Sequence, residues 1–136
     1  MNEEIGVVGG GQMGSQIAAL SAMAGYETHI YDKDTENVTS KLKFAADNLK
    51  NIISKNKDTE EHLANFKDNL HVTESLDSLS ENKTFIIEAV VERLDVKLEI
   101  FSQLSEITDS EVVLATNSSF IDASEIAKDC MLVQRF

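Results

Sequence analysis

A glycine-rich turn near the N-terminus constrains the fold of this chain more strongly than any other feature of the sequence. Residues 9–14 carry glycines at the spacing Gly-x-Gly-x-x-Gly, directly after an apolar run at residues 5–8. A pattern of small residues that is typical of a helix follows, and a second apolar run ends at Asp32. Glycine spacing alone is weak evidence, but the strand before it, the helix after it and the second strand ending in an acid make it specific. The stretch predicts a site for the pyrophosphate and ribose of a dinucleotide.

Each key residue of this stretch has a physical role. Gly9 lets the chain leave the strand through a tight turn, Gly11 lets the backbone approach a pyrophosphate, and Gly14 lets the helix lie close to the strand. The free N–H groups and the dipole at the start of the helix favour the phosphates. Asp32 would accept hydrogen bonds from ribose hydroxyls and repel a 2′-phosphate, which favours NAD over NADP, although Lys33 would weaken that repulsion. The alternative is a glycine-rich turn followed by a solvent-facing acid.

The composition argues against several classes of function. The 136-residue chain has 24 acidic and 12 basic residues and a formal charge of -12, which argues against binding to nucleic acid or to an anionic membrane surface. No apolar run approaches the roughly 20 residues of a membrane span, and no secretory signal is expected. The single cysteine, Cys130, cannot form an intramolecular disulfide and is expected to be inert, which favours a cytoplasmic location. We predict no metal site.

Strands and helices alternate along the chain. We expect strands at residues 4–8, 27–31, 70–73, 84–87, 112–115 and 131–133, and helices at residues 12–24, 35–57, 58–66, 75–79, 92–107 and 122–128. In the first helix, Ile17, Leu20, Ser21 and Ala24 share a face, and the small residues Ala18, Ala19 and Ala22 permit close packing. This order predicts an α/β fold with a doubly wound parallel sheet and a helical insert after the second strand. Ligands of such sheets bind at the carboxyl ends of the strands, here in loops 9–14, 89–92 and 116–119.

The second predicted helix carries the one basic patch on this acidic chain. Its lysines are Lys41, Lys43, Lys50, Lys55 and Lys57, and Asp47 is the opposing charge among them. Such a pattern is typical of a solvated helix face. The functional interpretation is a surface that attracts an anionic substrate through its local field rather than through specific contacts.

Two later stretches make the sequence similar to a known family. They are the segment IIEAVVE at residues 86–92, with Lys97 in the next helix, and the segment ATNSS at residues 115–119. Together with the glycine turn, they resemble the NAD-binding domain of L-3-hydroxyacyl-CoA dehydrogenases, including the 3-hydroxybutyryl-CoA dehydrogenases. The resemblance covers nearly the whole chain, and implies that residues 1–136 form one Rossmann domain that binds NAD.

The resemblance implies a role for each matching position. The residues that would line the pyrophosphate are Gly9, Gly11, Gln12, Met13 and Gly14. Asp32 would hold the adenosine ribose, and the nicotinamide half would contact Ala89, Val90 and Glu92, with Lys97 beside it. Asn117 would lie near the nicotinamide and the reacting carbonyl, and Ser119 would hydrogen-bond the 3-oxygen of the substrate, so these two are the predicted catalytic residues. From the residues alone, Glu92 could equally be an acid at a helix start, and Asn117 and Ser118 could equally be turn or capping residues.

The same resemblance implies a reaction and its partners. Family members oxidise an L-3-hydroxyacyl-CoA to the 3-oxoacyl-CoA with NAD in fatty acid and butanoate metabolism, and the helix after the second strand helps to hold CoA. An acyl-CoA is therefore the expected partner. A homodimer is compatible with the resemblance, although family members dimerise mostly through a helical second domain that would lie after residue 136.

The sequence also departs from the family pattern. The catalytic histidine of the family lies at the end of the strand that here reads MLVQRF, where Arg135 takes its place. The three histidines of the chain are His29, His62 and His71, all far from that strand in the sequence. We therefore expect the chain alone to bind NAD with little or no turnover. The alternatives are a non-catalytic NAD(H)-binding or sensing protein and a Rossmann dehydrogenase for another 3-hydroxy acid.

Overall fold

The computed structural model describes residues 3–53, 59–118 and 121–130. Its strands are β1 (Glu4–Val8), β2 (Glu27–Tyr31), β3 (Leu70–Thr73), β4 (Phe85–Glu88) and β5 (Val113–Thr116). Its helices are α1 (Gln12–Met23), α2 (Thr35–Ile53), α3 (Thr59–Asn69), α4 (Leu76–Ser80), α5 (Leu94–Ile107) and α6 (Ala123–Cys130). None of these helices has the length and apolar character needed to cross a bilayer.

The five described strands form one parallel sheet in the order β3-β2-β1-β4-β5. The chain winds outward from β1 to β3 on one side and then continues from β4 to β5 on the other. The order reverses between β1 and β4, and this reversal confirms the predicted doubly wound sheet. The carboxyl ends of β1 and β4 are therefore neighbours at the position where such folds bind ligands.

Two layers of apolar residues cover the two faces of the sheet. Val7 and Val8 are adjacent in β1 and both are buried, because successive side chains of a strand point to opposite faces. Val7 packs with residues of α1 and α2, and Val8 packs with residues of α4, α5 and α6. Burial on both faces explains why β1 reads as a continuous apolar run rather than as an alternating one.

Helix α1 buries a face made of small residues. Ala18, Ala19 and Ala22 are fully buried, whereas Leu20 is 51% exposed. The predicted close packing through these alanines is confirmed, whereas the face with Leu20 and Ala24 is not the buried one. Helix α1 packs against β1, β2, α2 and α3, and small side chains allow that close approach. Close packing here outweighs the preference for burying the largest apolar side chains.

Most predicted boundaries agree with the structure within two residues. The long second helix is confirmed as far as Ile53, and Asp34 caps it by accepting a hydrogen bond from the Asn37 N–H at 3.1 Å. Helix α3 extends to Asn69, three residues beyond its predicted end. Helix α5 begins at Leu94, so Glu92 precedes the helix and does not belong to its first turn. The predicted last strand at residues 131–133 lies outside the described residues.

Candidate functional site

The glycine turn brings three backbone segments together. Gly9 has a φ of +108°, and its N–H donates to the carbonyl oxygen of Tyr31 at 2.8 Å. A Cβ on Gly9 would lie 2.6 Å from the carbonyl oxygen of Ala89, and a Cβ on Gly14 would overlap the carbonyl oxygen of Gly9. Both glycines are therefore required by the close packing of β1, α1 and the loop after β4.

Gly11 lies in a different environment from the other glycines of the turn. A Cβ at this position would meet no protein atom within 4 Å among the described residues. Gly11 is also the N-cap of α1, and the first turn of that helix contains no acidic residue. The open space and the uncompensated N–H groups fit an anionic pyrophosphate that approaches the start of the helix.

Gly10 is a functional position that sequence reasoning missed. A Cβ there would overlap the side chain of Val38 in α2, and the N–H of Gly10 donates to Oδ2 of Asp32 at 2.7 Å. The fingerprint leaves this position free, so its spacing gave no reason to select it. The run of three consecutive glycines was the available signal.

The carboxylate of Asp32 lies at the carboxyl end of β2 and is held on both sides. Oδ2 accepts from the Gly10 N–H at 2.7 Å, and Oδ1 accepts from the Asp34 N–H at 2.9 Å. Each carboxylate oxygen can accept more than one hydrogen bond, so acceptor capacity is left for ribose hydroxyls. The backbone thus fixes the orientation of the group that was predicted to bind ribose.

Two cavities flank the glycine turn. One, of about 410 Å³, includes Gly9, Asp32 and Val90 in its lining. The other, of about 390 Å³, is lined by Gly11, Gln12, Met13, Ala89, Val90, Val91, Glu92 and Asn117. The structure therefore places most of the predicted cofactor residues around adjoining spaces at the carboxyl edge of the sheet. Ser119, the other predicted catalytic residue, lies outside the described residues.

A buried ion pair lies beneath the second cavity. Glu88 and Lys97 are 0% and 1% exposed, and the Lys97 Nζ is 2.6 Å from Oε2 of Glu88. The Val90 N–H donates to the same oxygen at 2.8 Å, and the Thr116 hydroxyl donates to Oε1 at 2.6 Å. Glu88 thus joins β4, α5 and β5 through one carboxylate. Glu88 belongs to the matching segment 86–92 but had no predicted role, although an acid followed nine positions later by a lysine was the available signal.

Glu92 extends this network toward the loop after β5. Its Oε1 lies 3.7 Å from the Lys97 Nζ and accepts a hydrogen bond from the Ser118 hydroxyl. The Ser118 hydroxyl also accepts from the Ile121 N–H at 3.0 Å. Ser118 therefore acts as a turn residue, in line with its interpretation as a turn or capping residue. The Asn117 N–H donates to the carbonyl oxygen of Glu88 at 2.8 Å. These bonds connect the loops after β4 and β5, which form one wall of the second cavity.

The histidines lie away from both cavities. His29 is in β2, His62 is in α3 and His71 is in β3, the edge strand. Within the described part of the chain, neither cavity has a histidine in its lining. Arg135 lies outside the described residues.

Comparison with known proteins decides the family. Residues 4–136 match the model of the 3-hydroxyacyl-CoA dehydrogenase NAD-binding domain. The chain belongs to this family. A 3-hydroxybutyryl-CoA dehydrogenase of Mycobacterium tuberculosis is 37% identical over 134 residues, which cover 98% of this chain and 46% of that protein. A 3-hydroxyadipyl-CoA dehydrogenase of Escherichia coli is 30% identical over 127 residues, which cover 93% of this chain and 26% of that protein.

Solved structures agree with the family assignment. The crystal structure of FadB2 from M. tuberculosis superposes with a TM-score of 0.87 at 36% identity, over 98% of this chain and 47% of that one. The (S)-3-hydroxybutyryl-CoA dehydrogenase PaaH1 of Ralstonia eutropha superposes with a TM-score of 0.84 at 29% identity, over 95% of this chain and 45% of that one. The chain thus spans less than half the length of these relatives. The predicted fold and the predicted cofactor, NAD, are confirmed by the family.

The buried ion pair gives a prediction about stability. Lys97→Met should lower the free energy of unfolding by about 3–5 kcal/mol, because it leaves Glu88 charged, buried and without its cation. Glu88→Gln combined with Lys97→Met should recover part of that loss, since both charges are then gone. Lys43→Met, at an exposed position of α2, is the matched control and should change stability by less than about 0.5 kcal/mol. Urea denaturation gives the free energy of unfolding of the unaltered chain and of the three variants. Equal losses of stability in Lys97→Met and Lys43→Met would contradict the prediction.

Proposed function

We propose that this chain is the NAD-binding part of an enzyme that oxidises an L-3-hydroxyacyl-CoA to the 3-oxoacyl-CoA. The observation that carries the proposal is the 390 Å³ cavity, in which the glycine turn, the loop after β4 and Asn117 meet. Relatives named for 3-hydroxybutyryl-CoA and 3-hydroxyadipyl-CoA support the class of substrate. We propose further that the described elements belong to one NAD-binding domain over residues 1–136.

The proposed binding mode assigns one task to each part of the site. Bound NAD would supply the acceptor for the hydride that leaves C3 of the substrate. The start of α1 and Gly11 hold the pyrophosphate, and the fixed carboxylate of Asp32 holds the adenosine ribose. Gln12 and Met13 line the same turn, and Ala89, Val90 and Glu92 form the wall against the nicotinamide half.

The reacting carbon of the substrate would lie near the loop after β5. Asn117 lines the nicotinamide cavity, and its backbone N–H is fixed on the Glu88 carbonyl oxygen. We propose that Asn117 and Ser119 orient the 3-oxygen of the substrate, as the resemblance implies. Lys97 is buried in the Glu88 ion pair, so we assign it to positioning Glu88 and Glu92 rather than to direct contact with substrate.

Proton removal from the 3-hydroxyl requires a general base, which is a histidine in the family that this chain resembles. Because no histidine of the described residues lies in the linings of the two cavities, we propose that the chain by itself binds NAD with little turnover. A non-catalytic NAD(H)-binding protein is the second candidate, and the same observation favours it. An assay of 3-hydroxyacyl-CoA dehydrogenation by the full protein that contains this chain distinguishes the dehydrogenase from the non-catalytic protein. A sensing protein would show no turnover.

The acyl-CoA partner is proposed from charge and family. Lys43 and Lys50 are exposed on α2, and Lys41 is half-buried there. We propose that these lysines attract the CoA phosphates through their field, on a chain whose formal charge is otherwise strongly negative.

We propose also that the protein is cytoplasmic, on the basis of its single cysteine, and that it has no nucleic-acid partner, on the basis of its acidic balance. A homodimer is proposed in line with the resemblance.

Substitutions at two glycines of the turn, Gly11 and Gly14, should have opposite effects on binding and stability, and they test the cofactor site. Gly11→Val should lower the free energy of unfolding by only about 1 kcal/mol, the cost of a poorer N-cap, because the new side chain enters open space. It should weaken NADH binding at least tenfold by filling the proposed pyrophosphate position. Gly14→Ala should instead destabilise the fold, since its Cβ would overlap the Gly9 carbonyl oxygen. Fluorescence titration with NADH and urea denaturation provide the two readouts. Unchanged NADH affinity in a folded Gly11→Val variant would contradict the proposed site.

Charge substitutions on α2 test the substrate. The triple change Lys41→Glu, Lys43→Glu and Lys50→Glu should weaken binding of acetoacetyl-CoA to the NADH complex several-fold, and more at low ionic strength, because the field is then repulsive. The matched change of the same three lysines to arginine keeps the charge and should keep the affinity. Calorimetric titration gives both values. Equal affinities for the two triple variants at low salt would favour a merely solvated helix face.

A further inference from the structure

A second cluster of polar side chains lies on β2 and β3. His29 and His71 are directly paired across these two parallel strands, and their ring centroids are 4.8 Å apart. Glu27 precedes His29 by two positions, so both side chains lie on the same face of β2. The Glu27 carboxylate contacts Nε2 of His71. One donor atom from each residue lies within 4.8 Å of those of the other two.

We propose that Glu27, His29 and His71 bind a divalent transition metal ion, with Zn²⁺ as the best match. Two imidazoles and one carboxylate form a donor set that binds zinc with three protein ligands and leaves a fourth position open. Mg²⁺ and Ca²⁺ prefer oxygen ligands, so this set selects against them. The sequence gave no hint of the site, because its residues come together only through the register of β2 and β3.

His29 supplies a second, independent observation. Its Nδ1 atom is buried and has no hydrogen-bond partner among the described residues. Leaving such a nitrogen unsatisfied is costly, and buried polar atoms without a partner are rare. A metal ion bound at Nδ1 would give this nitrogen the partner that the described residues do not supply.

The local charges also favour a cation. The Lys83 amine opposes a cation, but it lies 3.7 Å from the Glu4 carboxylate, which partly neutralises it. Carboxylates of Glu3, Glu4 and Glu27 line the 660 Å³ cavity that opens beside His29.

The cluster needs only a small rearrangement to hold the ion. Donor atoms bonded at about 2.1 Å around a tetrahedral ion are about 3.4 Å apart. A separation of up to 4.8 Å must therefore shrink by up to about 1.4 Å, and the contacting atoms of Glu27 and His71 must move apart. The side chains of His71 and Glu27 are 44% and 38% exposed, so solvent-side space is available for the rearrangement once their mutual contact is exchanged for bonds to the ion. The cavity beside the cluster also contains Gly25, which precedes β2, so the site lies toward the amino end of that strand. Asp32 follows the carboxyl end of β2, so NAD and metal should bind independently.

Calorimetric titration of the chain with ZnCl₂ tests the proposal. We expect one Zn²⁺ per chain, no binding of Mg²⁺, and a loss of affinity of at least tenfold in His71→Ala and in Glu27→Gln. His62→Ala, on α3, and Cys130→Ser are the matched controls and should bind Zn²⁺ like the unaltered chain. Circular dichroism and NADH titration should show that all four variants fold and bind the cofactor normally.

Two results would overturn the inference. One is the absence of stoichiometric Zn²⁺ binding by the unaltered chain. The other is Zn²⁺ binding that His71→Ala and Glu27→Gln leave unchanged, since the ion would then lie elsewhere on this acidic chain. His71 is exposed on the edge strand, so its replacement tests the site even if the replacement of the more enclosed His29 unfolds the protein.

Discussion

The site depends on one constraint, which is the packing of backbone against backbone where β1, α1 and the loop after β4 meet. Gly9 leaves no room for a side chain beside Ala89, and Gly14 leaves none beside the Gly9 carbonyl. This contact sets how closely α1 approaches the sheet, and small residues along α1 continue the same close packing. It also brings the start of α1 beside the loop after β4, so that one cavity is shared between them. A larger residue at either glycine would separate the two halves of the proposed NAD site.

The buried ion pair of Glu88 and Lys97 has a different role. Removing two charges from water is expensive, and a buried pair is often no better for stability than apolar residues of similar size. Its value here is positional, because Glu88 binds Lys97 of α5, Thr116 of β5 and the Val90 N–H at once. The loops that carry Glu92 and Asn117 therefore have fixed positions relative to the glycine turn. A preorganised wall of this kind suits a reaction that requires close alignment of cofactor and substrate.

Local sequence patterns predicted the parts of this structure that depend on local chemistry. The glycine spacing, the apolar strands and the acid after β2 led to the correct sheet, the correct family and the correct cofactor. Contacts between distant segments were harder to predict. From the sequence, Lys97 was predicted to lie beside the nicotinamide half, and Glu88 had no assigned role. The fold brings the Lys97 Nζ within 2.6 Å of the Glu88 carboxylate. In α1 the predicted close packing through Ala18, Ala19 and Ala22 is confirmed, but the apolar face with Leu20 is not the buried one, because interhelical distance rather than hydrophobicity selects the buried residues. The pairing of His29 with His71 follows from strand register, which a sequence pattern does not specify.

The most direct test of this account is the binding of reduced dinucleotides to the chain itself. Calorimetric titration should show one NADH site per chain, with NADPH bound at least tenfold more weakly because Asp32 would face its 2′-phosphate. Two backbone N–H groups hold the Asp32 carboxylate in place, and added salt should weaken the discrimination because it screens the repulsion. Absence of NADH binding, or equal affinity for NADH and NADPH, would contradict the proposal that the glycine turn and Asp32 form a site specific for NAD.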